Sequence, residues 1–166
     1  QTCSEAQDIM LAADSGKCIR FPVTEVRIFS GRTSTGVRGI RLAEGQKIVS
    51  MTMIDHVELE TDVRDAYLRM SKARRRLPDE EDDSVQDVVE TSDEDTGAET
   101  ASAQITLTEE EYEALSEKEQ FMLTVTENGY GKRTSAFEYR TTRRGGQGGV
   151  NIATEGRNGA VAASFP

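Results

Sequence analysis

The chain has 166 residues, 36% of them hydrophobic, with no Trp and 14 Gly; that apolar supply is thin for one compact core, so part of the length is expected to lie outside it. No apolar run approaches the roughly 20 residues that span a bilayer, and a single His makes a histidine-rich metal centre or a Ser/His/Asp triad very hard to build. The net charge of −10 hides a division: residues 55–120 hold 22 acids against 7 bases, a net −15, while the remainder holds 8 acids and 13 bases, a net +5. A basic scaffold interrupted by an acidic segment suggests a polyanion-binding surface beside an acidic modulator or tail.

The opening residues, Gln1-Thr2-Cys3-Ser4-Glu5, have neither the basic nor the apolar region of a signal peptide. With no initiating Met, and with Ser164-Phe165-Pro166 following directly on an apolar run, the chain reads as a piece of a longer protein. The first element is an apolar strand from Asp8 that meets Asp14-Ser15-Gly16 and then a basic strand, Lys17-Cys18-Ile19-Arg20-Phe21. Gly supplies the positive φ that such a hairpin turn needs. Arg32-Thr33-Ser34-Thr35-Gly36 leads to a third strand over residues 37–42, and a fourth is predicted from Lys47 to Ile54. Cys3 and Cys18, with no CxxC spacing, read as free thiols of a cytoplasmic protein.

The stretch from 55 to 120 changes character. Leu59, Val63, Ala66, Tyr67 and Met70 recur at helical spacing, acids come early, and Lys72, Arg74, Arg75 and Arg76 come late; this polarity complements a helix dipole and predicts a helix over about 58–76, ended by Pro78. Residues 78–105, acidic and rich in Ser and Thr without aromatics, are expected to be disordered. Thr108 with Glu111 forms a capping box that opens a second helix over about 108–119. The two helices are expected to bracket the linker as a short hairpin. The acidic runs 79–83 and 93–95 lack the spacing of an EF-hand and its central Gly, so they read as a solvated linker, with no metal site.

From residue 121 the first pattern returns. Phe121-Met122-Leu123-Thr124-Val125-Thr126 meets Glu127-Asn128-Gly129, then Tyr130-Gly131-Lys132-Arg133-Thr134. Glu25-Val26 is answered by Glu138-Tyr139, and the Arg32 stretch by Arg144-Gly145-Gly146-Gln147-Gly148. A third strand over 149–154 and a fourth over 160–165 complete the copy. Four short strands in about 45 residues match one blade of a propeller-type fold. The expected class is therefore all-β, with two four-stranded antiparallel blades at residues 1–54 and 121–166 and a helical, acidic insertion at 55–120.

Two strings, Gly36-Val37-Arg38-Gly39-Ile40-Arg41-Leu42 and Glu127-Asn128-Gly129-Tyr130-Gly131-Lys132-Arg133-Thr134, resemble consecutive blades of the C-terminal domain of the DNA gyrase A protein, a β-pinwheel whose basic rim wraps DNA. The resemblance covers about 8–54 and 121–165. Thr142-Arg143-Arg144-Gly145-Gly146-Gln147-Gly148 is similar to that family's Gly/Arg box, with Thr142 where the box has a leading Gln and Gln147 where it has a trailing basic residue. A repeat precedes this stretch whereas the family's box lies in its first blade, so Gly145, Gly146 and Gly148 are box-like rather than the box itself. The resemblance implies sequence-nonspecific binding of double-stranded DNA, and partnership with the rest of gyrase A and with gyrase B in an A2B2 assembly. It also implies a cytoplasmic, nucleoid-associated location, with ATP, Mg2+ and the cleaving tyrosine outside this chain. Phosphate contacts need Lys and Arg on strand edges and backbone N–H groups exposed by Gly; the candidates are Lys17, Arg20, Arg32, Arg38 and Arg41 in the first blade and Lys132, Arg133, Arg140, Arg143 and Arg144 in the second. No catalytic residue, cofactor or membrane contact is expected within the chain.

Three other readings compete with this one. The topoisomerase IV counterpart is built from the same blades. A protein-interaction module would present the helical hairpin to a partner. A hydrolase on a propeller-like fold is the weakest, because the carboxylates concentrate in the insertion. A bolder expectation is that the acidic linker competes with DNA for the basic rim.

Overall fold

The computed structural model describes residues 2–75 and 105–166, so the expected linker up to residue 104, its acidic runs and the expected ends of the first helix at Arg76 and Pro78 lie outside the described residues. The chain divides into two compact units, Gln1–His56 with Gln120–Pro166, and Val57–Glu119.

In the first unit, β1 (Gln7–Ala13) and β2 (Lys17–Pro22) form an antiparallel hairpin with Asp8 opposite Pro22 and Met10 opposite Arg20. Its turn closes where the Gly16 N–H donates to the Ala13 carbonyl at 3.1 Å, with Gly16 at φ 80. A 3-10 turn, Val23–Glu25, follows β2. The chain then crosses residues 30–38, exposed throughout, before β3 (Ile48–Asp55) pairs antiparallel with the free side of β1. The second repeat rebuilds the pattern: β4 (Phe121–Thr126) and β5 (Gly131–Ser135) pair with Phe121 opposite Ser135. The Gly129 N–H closes the turn on the Thr126 carbonyl at 3.0 Å, and a second 3-10 turn, Ala136–Glu138, follows. The short β6 (Gly149–Val150) and then β7 (Val161–Phe165) end the unit. Counting from the turn glycines, Arg133 occupies in β5 the place that Arg20 occupies in β2, and Phe121 the place of Asp8.

The sheets are not two complete four-stranded blades. Their orders are β3-β1-β2-β6 and β5-β4-β7: the fourth strand of the first sheet comes from the second repeat, and the second sheet has three strands. Lys17 pairs with Val150 and Cys18 with Gly149, so the predicted strand over 149–154 contracts to two residues and serves its neighbour. The predicted strand over 37–42 joins neither sheet; its backbone pairs instead with the glycine turn of the second repeat, Gly145 N–H to the Gly39 carbonyl at 2.6 Å and Arg41 N–H to the Gly146 carbonyl at 2.7 Å. Short, glycine-rich segments bury too little to hold a sheet edge within their own repeat, and they find backbone partners across the repeat boundary.

Both faces of the first sheet are buried, as strand alternation allows. Met10, Ala12, Cys18 and Ile54 pack on one face with Met122 and Ala136 of the second repeat; Ile9, Ile19 and Phe21 pack on the other with Ile40. Burial pushes the Cys18 thiol up to about 12, which makes it an inert core residue, while Cys3 is free and exposed.

In the second unit, α1 (Thr61–Arg75) carries Asp62 in its first turn and Lys72, Arg74 and Arg75 in its last, the charge order that favours a helix dipole. Thr108 caps α2 (Glu109–Ser116) through the complete box with Glu111. The helices meet where Tyr67, fully buried, stacks on Tyr112 with centroids 5.0 Å apart and donates its hydroxyl to Glu119 at 2.9 Å. Arg74 pairs with Glu109 and Arg75 with Glu119. No helix among the described residues is long and apolar enough to cross a membrane.

Gly16 tests the joint between repeats. Its carbonyl accepts the N–H groups of Asn151 and Ile152 at 2.8 and 3.3 Å, and a Cβ built on it would overlap the Ile152 carbonyl oxygen. Gly16→Ala is expected to cost about 3 kcal/mol or more in urea unfolding, from left-handed backbone strain plus backbone overlap. Gly36→Ala, at φ 76 but with nothing within 4 Å, is expected to cost only about 1–2 kcal/mol.

Candidate nucleic-acid interface

The ten predicted cations fall into three groups. Arg20 leaves the candidate surface altogether. Strand parity turns its side chain toward the second repeat, where it is 4% exposed. Its Nε donates to Asp8, itself 0% exposed, at 2.7 Å. Its Nη1 reaches the Ala136 carbonyl at 2.8 Å and the Tyr139 carbonyl at 3.5 Å, and its Nη2 reaches the Asp55 carbonyl at 3.2 Å. His56 Nδ1 lies 2.7 Å from the other Asp8 oxygen. A guanidinium so enclosed is a clasp between repeats, out of reach of a phosphate.

Three more cations are engaged within the first unit. Lys132, half-buried, donates to the Asn151 carbonyl at 3.3 Å. Asn151 in turn receives the Tyr139 hydroxyl at 2.8 Å and donates to Thr124 at 2.8 Å, and Thr124 shares a 2.9 Å hydrogen bond with Ser164. Burial drives the Tyr139 hydroxyl pKa upward, so it stays a donor in this network. Arg133 is exposed and lies 3.5 Å above the Phe121 ring, where a ring replaces the carboxylate that Arg20 finds in Asp8. Arg144, half-buried, donates to two carbonyls, Nη1 to Arg38 at 2.7 Å and Nε to Glu25 at 3.3 Å.

The remaining candidates line the outside. Lys17 is half-buried at the start of β2; Arg32, Arg38, Arg41, Arg140 and Arg143 are exposed. The structure brings four of the arginines to one place. Pairing of Gly39 and Arg41 with Gly145 and Gly146 sets the backbone of Arg38 and Arg41 alongside that of Arg143 and Arg144. Arg140 adjoins through its neighbours, since Thr141 bridges to Arg20 and the Thr142 N–H donates to the Arg20 carbonyl at 2.8 Å. Gly145 holds φ 85 and Gly148 φ 71, and a Cβ on Gly148 would overlap the Cys18 carbonyl, so glycine at 148 is what lets the turn lie against β2. Arg32 stays apart on the exposed crossing. The result is a ridge of paired backbone that carries these cations at a two-repeat joint.

Sequence reasoning missed the acid inside this ridge. Glu25, half-buried at the end of the first 3-10 turn, accepts the Arg144 backbone N–H on Oε2 at 2.6 Å. Its only sequence signal was its repetition as Glu138, which carried no role. Asp8 and His56 were also missed, because no motif marks a buried pair.

A family model described as the DNA gyrase C-terminal domain, beta-propeller, matches residues 7–55 and 120–162, more than half of the chain and both repeats. The chain belongs to the DNA gyrase C-terminal domain family. The match passes over the insertion and ends within the second repeat. Named relatives agree: the DNA gyrase A protein of Granulibacter bethesdensis is 47% identical over 99% of this chain and 18% of its own length, and that of Rickettsia bellii 40% identical over 99% and 17%. The chain thus spans under a fifth of these relatives. Among solved structures, a DNA gyrase A C-terminal domain superposes with a TM-score of 0.50 at 13% identity, over 99% of this chain and 32% of that one. A topoisomerase IV C-terminal domain gives 0.51 at 15%, over 96% and 31%; at such identity these likenesses speak for the β-pinwheel fold.

The Arg20 clasp sets a measurable expectation. Arg20→Met strands the Asp8 carboxylate in the interior and is expected to lower stability by about 3–5 kcal/mol. Arg32→Ala on the exposed crossing should stay within about 0.5 kcal/mol of the parent in the same urea titration.

Proposed function

We propose that this chain binds double-stranded DNA without sequence preference and helps wrap it, as part of a gyrase A protein. In the assembled A2B2 enzyme this would serve ATP-dependent negative supercoiling, the ATP, Mg2+ and strand-cleaving chemistry residing in other regions. The supporting observation is the convergence of Arg38, Arg41, Arg143 and Arg144 on the turn where two repeats pair backbone to backbone. A polyanion needs cations in a row on a rigid edge, and the exposed members of this group face solvent without an acidic side chain bonded to their guanidinium groups among the described residues. No recognition helix accompanies them, so affinity would come from phosphate neutralisation and the readiness of DNA to bend. For the topoisomerase IV alternative the support is a fold likeness at 15% identity, whereas the relatives at 47% and 40% identity named above are gyrase A proteins.

A mobility shift on long duplex DNA over a salt series checks the reading. Log affinity is expected to fall linearly with log salt, and the triple change Arg38→Ala, Arg41→Ala, Arg143→Ala should shallow the slope by roughly 2–3, since each lost phosphate contact removes about 0.9. Binding of the parent chain that ignores salt would contradict it.

A further inference from the structure

Resting on the DNA-binding reading, we infer that Glu25 and Arg144 are positioning residues of the interface: the acid and the arginine together hold the glycine turn that aligns Arg38, Arg41 and Arg143, and Arg144 itself is not a phosphate contact. The turn at Gly145–Gly146 carries no strand of its own and is held to the first repeat by three sets of bonds. The first is the backbone pairing with Gly39 and Arg41. The second is the Arg144 N–H on the Glu25 carboxylate, and the third is the Arg144 guanidinium on the carbonyls of Arg38 and Glu25. Hydrogen bonds with an ionised partner are the stronger kind, and Glu25 and Arg144 supply them here.

Glu25 is aimed by its own local fold. Pro22 ends β2, the 3-10 turn closes with the Val26 N–H on the Val23 carbonyl at 2.9 Å, and the side chain leaves from the last residue of that turn. Arg144 spends two donors on carbonyls and is half-buried, a poor start for a phosphate clamp; Arg143, next to it, is exposed. The second repeat shows the same device without its counterpart: Glu138 ends the equivalent 3-10 turn and is exposed.

The two roles predict opposite signs. An acid beside a cationic ridge repels DNA, so on charge alone Glu25→Ala would tighten binding. As a positioning residue its loss frees the turn and weakens binding, while Glu25→Gln keeps an oxygen acceptor at the same place and preserves it. Duplex affinity at low salt is expected to fall about five- to tenfold in Glu25→Ala and to stay within about twofold in Glu25→Gln. The amide of Arg144 should exchange at least about tenfold faster with solvent in the Ala variant, a readout that needs no DNA. Arg144→Lys, which keeps the charge but cannot span both carbonyls, should weaken binding as much as Arg144→Ala and so covers the case in which the Glu25 variants fail to fold. Unchanged or tighter binding by Glu25→Ala, unchanged exchange at Arg144, or wild-type binding by Arg144→Lys each overturns the inference. If the parent chain binds DNA with steep salt dependence in these same experiments, only the positioning role has failed; if the parent does not bind, the DNA reading itself has.

Discussion

The first unit depends on one buried ion pair, Arg20 with Asp8. Two charges removed from water are costly, and their mutual attraction offsets that cost only if the remaining donors and acceptors are filled. Here Arg20 directs further N–H groups to carbonyls at Ala136, Tyr139 and the end of β3, and Asp8 uses its second oxygen on His56. Because those carbonyls belong partly to the second repeat, satisfying the guanidinium requires both repeats to be in place. The same group therefore stabilises the hairpin and locks its neighbour's 3-10 turn in register.

The exchange of a strand across the boundary follows the same logic. The first sheet is completed by Gly149-Val150, and the second sheet has no equivalent fourth strand among the described residues. Each repeat is thus a hairpin with one further strand, and the first is completed from its neighbour in sequence, which is how solenoid-like arrays make each unit depend on the next. The counterpart of the donated strand in the first repeat, Val37-Arg38, has no strand partner among the described residues. The proposed interface for DNA emerges at this shared boundary. One repeat contributes Arg38 and Arg41 and the other Arg143, and only the backbone pairing of the two brings them together.

Equivalent positions in two repeats also show how one scaffold divides structural from surface charge. Arg20 and Arg133 sit at the same place in their hairpins. The first meets a carboxylate and the carbonyls of a following repeat and is buried; the second lies over Phe121 and stays exposed. The difference arises from residue 8 against residue 121 and from what packs beyond, and neither is visible in the arginine itself.

Local chemistry was legible in the sequence wherever a residue and its near neighbours settle the matter. The hairpins at Gly16 and Gly129 follow from a turn that needs positive φ, and the start of α2 follows from Thr108 and Glu111 satisfying each other's backbone donors. The repeat itself, and with it the family, was legible because both copies keep the same order of strand, turn and basic strand. Strand exchange was not, since hydrophobic alternation gives a strand its faces but not its neighbour. Nor could the sequence tell the clasp arginine from the ridge arginines: all are cations on strands or turns, and only the packing of the second repeat against β2 decided that Arg20 is enclosed, that Arg144 spends its donors on carbonyls, and that Arg38, Arg41 and Arg143 remain in water.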